Sequence, residues 1–183
     1  MPATAQGALG SLVSLWRYPV KSMMGEELNA AEVTERGLVG DRAYALVDRS
    51  TGKVASAKNP RKWGKLFDFR ATFVEFPHLD EKILPVRITL PDGSIATSKQ
   101  HDVEQILSKV LGREVTLAES APGSPSLEEY WPDIDGLAHR ETLTDESVAL
   151  GAPAGTFFDY APDRKSTRLN SSHIQKSRMP SSA

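Results

Sequence analysis

The 183-residue chain has no cysteine. That excludes disulfides, thiolate metal sites and cysteine nucleophiles within it. It has few aromatics, 7% of residues, and no apolar run near the ~18 residues of a membrane span. The N-terminus shows neither the charged region nor the apolar core of a signal peptide. The sequence therefore predicts a cytosolic protein with no membrane partner. The four histidines, His78, His101, His139 and His173, show no spacing that would put two ligands on one face, so no metal is assigned to them. There is no Gly-rich loop of dinucleotide or nucleoside-triphosphate type. Ser11, Ser14 and Ser22 lack identifiable His and Asp partners, and no catalytic residue is assigned.

An excess of basic charge is also missing. The formal charge is −2, and five of the 22 Lys/Arg against one of the 24 Asp/Glu fall in residues 163–183, leaving 17 against 23, a net of −6, for the remainder. Such a domain lacks the basic field with which nucleic-acid binders release counterions. Any cations at a binding site are therefore local.

Residues 163–183, DRKSTRLNSSHIQKSRMPSSA, have no apolar periodicity. They are similar to translated sequencing-adapter DNA, with 163–173 matching adapter read-through, 174–176 in the barcode position and 177–183 matching the distal part. A scar of this kind is set aside in fold reasoning; a disordered basic tail is the alternative. Residues 1–10 are expected to be disordered, 11–120 to form one domain, and 121–162 to be a linker and an irregular segment that closes no core of its own.

Within the domain, residues 12–16 read as a strand ended by Pro19, which cannot donate to a ladder and also restrains Tyr18. Lys21 and Ser22 then lie in a loop. Gly37 and Gly40 permit positive φ in a tight turn. Strands are expected at 43–47, 54–57, 71–76, 86–90, 95–97 and 115–118, with hairpin-turn chemistry at 48–53. The basic stretch 58–63 reads as a solvated connection whose Trp63 docks, with Leu66, on the core. The one clear helix is 101–111, where Val103, Ile106, Leu107, Val110 and Leu111 form an apolar stripe ended by Gly112. The fold class is mostly β (α+β): a partly closed β-barrel with one amphipathic helix. The carboxylates Glu128, Glu129, Asp133 and Asp135 read as a solvated acidic segment.

The most informative stretch is 17–22, RYPVKS, with Gly40-Asp41-Arg42 about one hairpin downstream. Together they offer two cations, a hydroxyl and loop N–H groups, a set suited to a phosphorylated small molecule. Each motif alone is ordinary: a lysine after a proline is usually solvated, and an Asp-Arg turn is commonly a surface pair worth ~0 to 1 kcal/mol.

Four segments in order, RYPVKSMMGEEL, TERGLVGDRAYALVD, SAKNPRKW and GTFFDYAP, resemble the N-terminal β-barrel domain of MOSC-domain proteins and the start of the MOSC domain. These are relatives of the amidoxime-reducing molybdenum enzymes and of the C-terminal part of molybdenum-cofactor sulfurase. The resemblance implies that Lys21, Ser22 and Arg42 contact the molybdenum cofactor. Independently of the resemblance, the carboxylate of Asp41 beside Arg42 is expected to orient that arginine. It also implies a full-length oxidoreductase acting on a small-molecule substrate, served by an electron-donor protein and reducing N-oxygenated compounds. Sulfur transfer and a non-catalytic interaction barrel are the alternatives. Because the family's MOSC domain supplies a cysteine that this sequence lacks, the chain is expected to be a fragment that retains no cofactor and is itself inactive.

Overall fold

The computed structural model describes residues 11–34, 37–79, 82–120, 125–130, 132–135 and, for backbone only, 147–151. The expectations for 1–10, for GTFFDYAP and for 163–183 lie outside these residues. Eleven short strands and two short helices are described: β1 (Leu15–Arg17), β2 (Glu26–Leu28), β3 (Val33–Thr34), β4 (Gly37–Leu38), β5 (Ala45–Asp48), α1 (Pro60–Trp63), β6 (Arg70–Phe73), β7 (Val86–Thr89), β8 (Ile95–Thr97), α2 (Val103–Leu111), β9 (Val115–Ala118), β10 (Ser126–Tyr130) and β11 (Ser147–Gly151). A 3-10 helix, Gly64–Asp68, follows α1. No described helix is long and apolar enough to cross a membrane.

The expected mostly β class holds, whereas a closed barrel is not found among the described residues. Hydrogen bonding runs in antiparallel pieces, β1-β2, β3-β4, β5-β9, β10-β11 and β6-β7-β8. Single bridges join these pieces: Val20 with Tyr44, Met24 with Arg70, and Val54 with both Val47 and Leu127. The ladder cannot run on from β1 toward β5, because Pro19 has no N–H and the chain turns sharply through Ser22. Only the Pro19 carbonyl takes part, accepting the Tyr44 N–H at 3.0 Å.

The pieces share one core. Val20, Tyr44, Leu46, Trp63, Leu66, Phe69, Ile88, Leu107 and Val115 are all buried in it. Helix α2 places Val103, Leu107 and Leu111 inward, with Ile106 and Val110 half-buried against the same cluster, and Gly112 ends it in the left-handed conformation (φ 68°). The expected stripe is therefore present. A residue outside the stripe is also buried: Ser108, whose Oγ accepts the Val115 N–H at 3.0 Å and ties the helix to β9.

Two expectations are corrected. The stretch 58–63 is not merely a solvated connection: Pro60 starts α1 with the φ a first turn needs, and Trp63 and Leu66 dock on the core as expected. The segment after residue 120 is not irregular throughout. It contains the β10-β11 hairpin, and Leu127 is buried with Ala45 and Val54 in a second small cluster. The Val54 N–H donates to the Ser126 carbonyl at 2.7 Å and the Tyr130 N–H to the Lys58 carbonyl at 3.0 Å, so β10 lies along the edge of the domain.

Candidate functional site

The two motifs separated in sequence meet in space. The Arg42 N–H donates to the Tyr18 carbonyl at 2.7 Å, the Tyr44 N–H to the Pro19 carbonyl, and the Lys21 N–H to the Tyr44 carbonyl at 2.9 Å. Asp41 adds a side-chain clasp: its Oδ1 accepts the Tyr18 N–H at 2.8 Å, and its Oδ2 pairs with the Arg42 guanidinium. The guanidinium also lies 5.9 Å from the Tyr18 ring centroid, within cation–π range.

A third loop completes the junction. The Ala57 N–H donates to Ser22 Oγ at 3.0 Å, bringing 56–59 against 18–22. Because the Ser22 oxygen accepts there, its O–H proton is directed elsewhere. The solvated loop expected for Lys21 is corrected: Lys21 is 3% exposed, whereas Ser22 and the Arg42 side chain remain partly accessible.

The backbone at this junction is strained. Ser22 (φ 67°) and Arg42 (φ 51°) are the two non-glycine residues with positive φ among those described. Each left-handed non-glycine costs on the order of 1–2 kcal/mol. The hydrogen bonds through Arg42 N–H and Ser22 Oγ hold these conformations in place. Gly40, at φ 81°, is required twice over: an added Cβ would also sit 2.7 Å from the Phe73 ring and 2.9 Å from Pro77.

Arg17, adjacent in sequence, does not join the site. Its side chain is 2% exposed, pairs with Glu26 at 2.8 Å, and lies 4.9 and 5.1 Å from the Phe73 and Phe76 ring centroids.

The third loop is anchored by charge. Lys62 Nζ lies 2.9 Å from Asp48 Oδ2 and 3.2 Å from Glu128 Oε2; Lys53 Nζ lies 2.9 Å from Glu128 Oε1; Lys58 pairs with Glu129. Glu128 and Glu129 are therefore not a solvated acidic segment. Along β10, Glu129 shares the buried face with Leu127 and half-buried Glu128 lies on the other, and both meet the lysines of the 53–62 stretch. Asp133 and Asp135, beyond it, are exposed.

Burial alone would raise the Asp48 pKa. The Ser50 hydroxyl and amide and the Lys62 ammonium outweigh it and hold the carboxyl down to about 2. A carboxylate lowered in this way contributes stability above its unfolded pKa, near 4, and loses that contribution as pH falls toward 2. The shift corresponds to about 2 kcal/mol. Urea titrations between pH 5 and pH 2 should show the wild-type chain losing more stability than Asp48→Asn by about that amount. Parallel pH profiles would show that Asp48 is not held by this network.

Among the described residues, no group of three or more His, Asp or Glu side chains could hold a metal ion. Two shallow surface depressions lie around α2, the larger lined by Gln105, Ser108, Lys109, Gly112, Arg113 and Glu114. Neither includes Lys21, Ser22 or Arg42. The candidate site is thus a junction of three loops on a mostly β domain, with its candidate ligand-binding side chains on two of them and the third holding Ser22 through the Ala57 N–H.

The model of one family, the MOSC N-terminal beta barrel domain, matches residues 9–105. The match spans more than half of the chain and covers all three loops, and the chain belongs to this family. No curated protein and no solved structure matches it. The structure carries the domain past the matched range, since β9 pairs with β5 and Val115 sits in the shared core.

Lys21, Ser22 and Arg42 were all legible as candidates from the sequence, and the structure brings them to one junction. The loop at 56–59 was missed as part of it. Its signal was present in the third of the four family-like segments, SAKNPRKW, but nothing in composition ties Ala57 to Ser22.

Proposed function

We propose that this chain is the N-terminal part of a molybdenum-cofactor-dependent MOSC oxidoreductase, in which Lys21, Ser22 and Arg42 hold the anionic end of the cofactor. The observation that carries this reading is that both strained non-glycine residues, Ser22 and Arg42, belong to the predicted set. Strain of this kind persists only where the surrounding structure over-determines it, and it clusters at functional sites. The residue types suit a phosphate: a guanidinium able to fork onto two oxygens, an ammonium, and a hydroxyl whose oxygen already accepts from Ala57; Ser22 and Arg42 are partly accessible and Lys21 is buried. The chain itself offers no thiolate for molybdenum, so its contribution is to bind and orient the phosphate end.

When bound, such a cofactor supplies the redox chemistry of its metal. In the full-length protein, reduction of an N-oxygenated small molecule with electrons from a donor protein is the reading favoured; a sulfur-transfer role shares the same anchoring residues.

The test begins with inorganic phosphate and the intact chain. Arg42→Ala should weaken phosphate binding about tenfold or more, the loss of one charge-assisted hydrogen bond of ~1.5 to 3 kcal/mol. Lys21→Met should do likewise while keeping most of the side-chain volume. Ser22→Ala should do less, since a neutral hydroxyl bond is worth ~0.5 to 1.5 kcal/mol. Arg49 is the control: it pairs with Glu104 on the surface, and Arg49→Ala should leave binding unchanged. In a full-length parent, the Arg42 and Lys21 variants should lose molybdenum content. Wild-type molybdenum in both, with cofactor limiting, would favour an interaction barrel instead.

A further inference from the structure

We propose that Asp41 is the positioning residue of this site, fixing the Arg42 guanidinium and the Tyr18 backbone with one carboxylate. Its two oxygens have different partners. Oδ1 accepts the backbone N–H of Tyr18 at 2.8 Å, and Oδ2 pairs with a terminal nitrogen of Arg42. The carboxylate therefore ties the first loop to the side chain presented by the second.

Three features make this more than a surface pair. The Asp41 and Arg42 side chains are 13% and 14% exposed, so water screens the pair far less than an exposed one. The Arg42 backbone is left-handed and held by its own N–H to Tyr18, and the guanidinium lies within cation–π range of the Tyr18 ring. The Asp41 N–H, meanwhile, closes a turn onto the Leu38 carbonyl at 3.0 Å, so the residue is held from both its backbone and its side chain. Arg42 is long and rotamer-rich, and ordering such a side chain costs conformational entropy. A guanidinium ordered before a ligand arrives avoids that cost at binding.

The consequence for affinity rests on the anion-holding reading above, whereas the orientation of Arg42 does not. Asp41→Asn separates the two functions of the carboxylate. The amide oxygen still accepts the Tyr18 N–H, but the amide nitrogen cannot accept from a guanidinium. Asp41→Ala removes both contacts and serves as the second variant.

The experiment is nitrogen-edited NMR on the full chain, with inorganic phosphate as the probe. In the wild type, the terminal Arg42 Nη–H that meets Asp41 should exchange slowly with solvent. In Asp41→Asn it should exchange about tenfold faster or more, while the Tyr18 amide keeps its protection and the melting temperature stays close to wild type. In Asp41→Ala the Tyr18 amide should lose protection as well. Phosphate binding should weaken about fivefold in Asp41→Asn, in parallel with the loss of Arg42 order. An Arg42 Nη–H that exchanges equally fast in wild type and Asp41→Asn overturns the proposal. A well-ordered, Asp41-dependent Arg42 in a wild-type chain that ignores phosphate would uphold the positioning role and overturn the anion-holding reading.

Discussion

Arg17→Ala is expected to lower the unfolding free energy by about 3–5 kcal/mol, the usual cost of breaking a buried pair by removing one partner. The Arg17 guanidinium is almost wholly desolvated and is compensated on several sides at once. Nε and a terminal nitrogen reach Glu26 Oε1 at 2.9 and 2.8 Å, a second terminal nitrogen donates to the Val39 carbonyl at 3.3 Å, and the Phe73 and Phe76 rings lie against the cation. Truncation leaves Glu26, itself largely buried, without this partner and opens space beside Phe73. Pairing Arg17→Met with Glu26→Gln should recover much of the loss, because side chains of similar volume then fill the site and neither leaves a charge stranded. Urea denaturation of the two single variants and the pair measures the coupling. A loss under about 1 kcal/mol for Arg17→Ala would show that the pair behaves like an exposed one.

Arg17 also shows what sequence reasoning could and could not reach. Within RYPVKS the arginine, lysine and serine look equally available, because a linear motif carries no information about which side of the chain each residue faces. The structure sends Arg17 into the hairpin with Glu26 and keeps Lys21 and Ser22 at the junction with Arg42. Conversely, the meeting of the 17–22 and 40–42 motifs was legible, since Pro19 had to end the strand and Gly37 and Gly40 had to turn the chain back. The strain at Ser22 and Arg42 was not, because nothing marks a non-glycine residue for positive φ until its hydrogen-bond partners are known.

The same limit explains the acidic segment. Glu128 and Glu129 followed a Pro- and Gly-containing stretch, which favoured a loop. Their ionic partners Lys53, Lys58 and Lys62 lie about 70 residues earlier, in what read as a hairpin turn and a solvated connection. Each half looked exposed because its partner was in the other half. Closure of a barrel was likewise unreadable: the apolar runs marked strands near 45–48, 70–73, 86–89, 95–97 and 115–118, but the strand expected at 54–57 is reduced to single bridges at Val54, and whether neighbours share a ladder or a bridge depends on turns of two or three residues.

The helix, by contrast, was legible almost to the residue, because a 3.6-residue period needs no partner to be recognised. It also makes the second large prediction. Leu107 is fully buried in the main core, and α2 packs on β9 and β8. Leu107→Ala should cost about 2–5 kcal/mol, combining lost burial with a cavity that the surrounding strands only partly fill. Lys109, two residues on, is exposed, and Lys109→Ala should stay within ~0.5 kcal/mol. Ile106→Ala and Val110→Ala, at half-buried positions, should fall between these limits. Urea midpoints for the four variants therefore order the faces of α2 directly. Equal midpoints for Leu107→Ala and Lys109→Ala would mean that the helix does not present its apolar stripe to the core, and the packing of β9 against it would have to be abandoned as well.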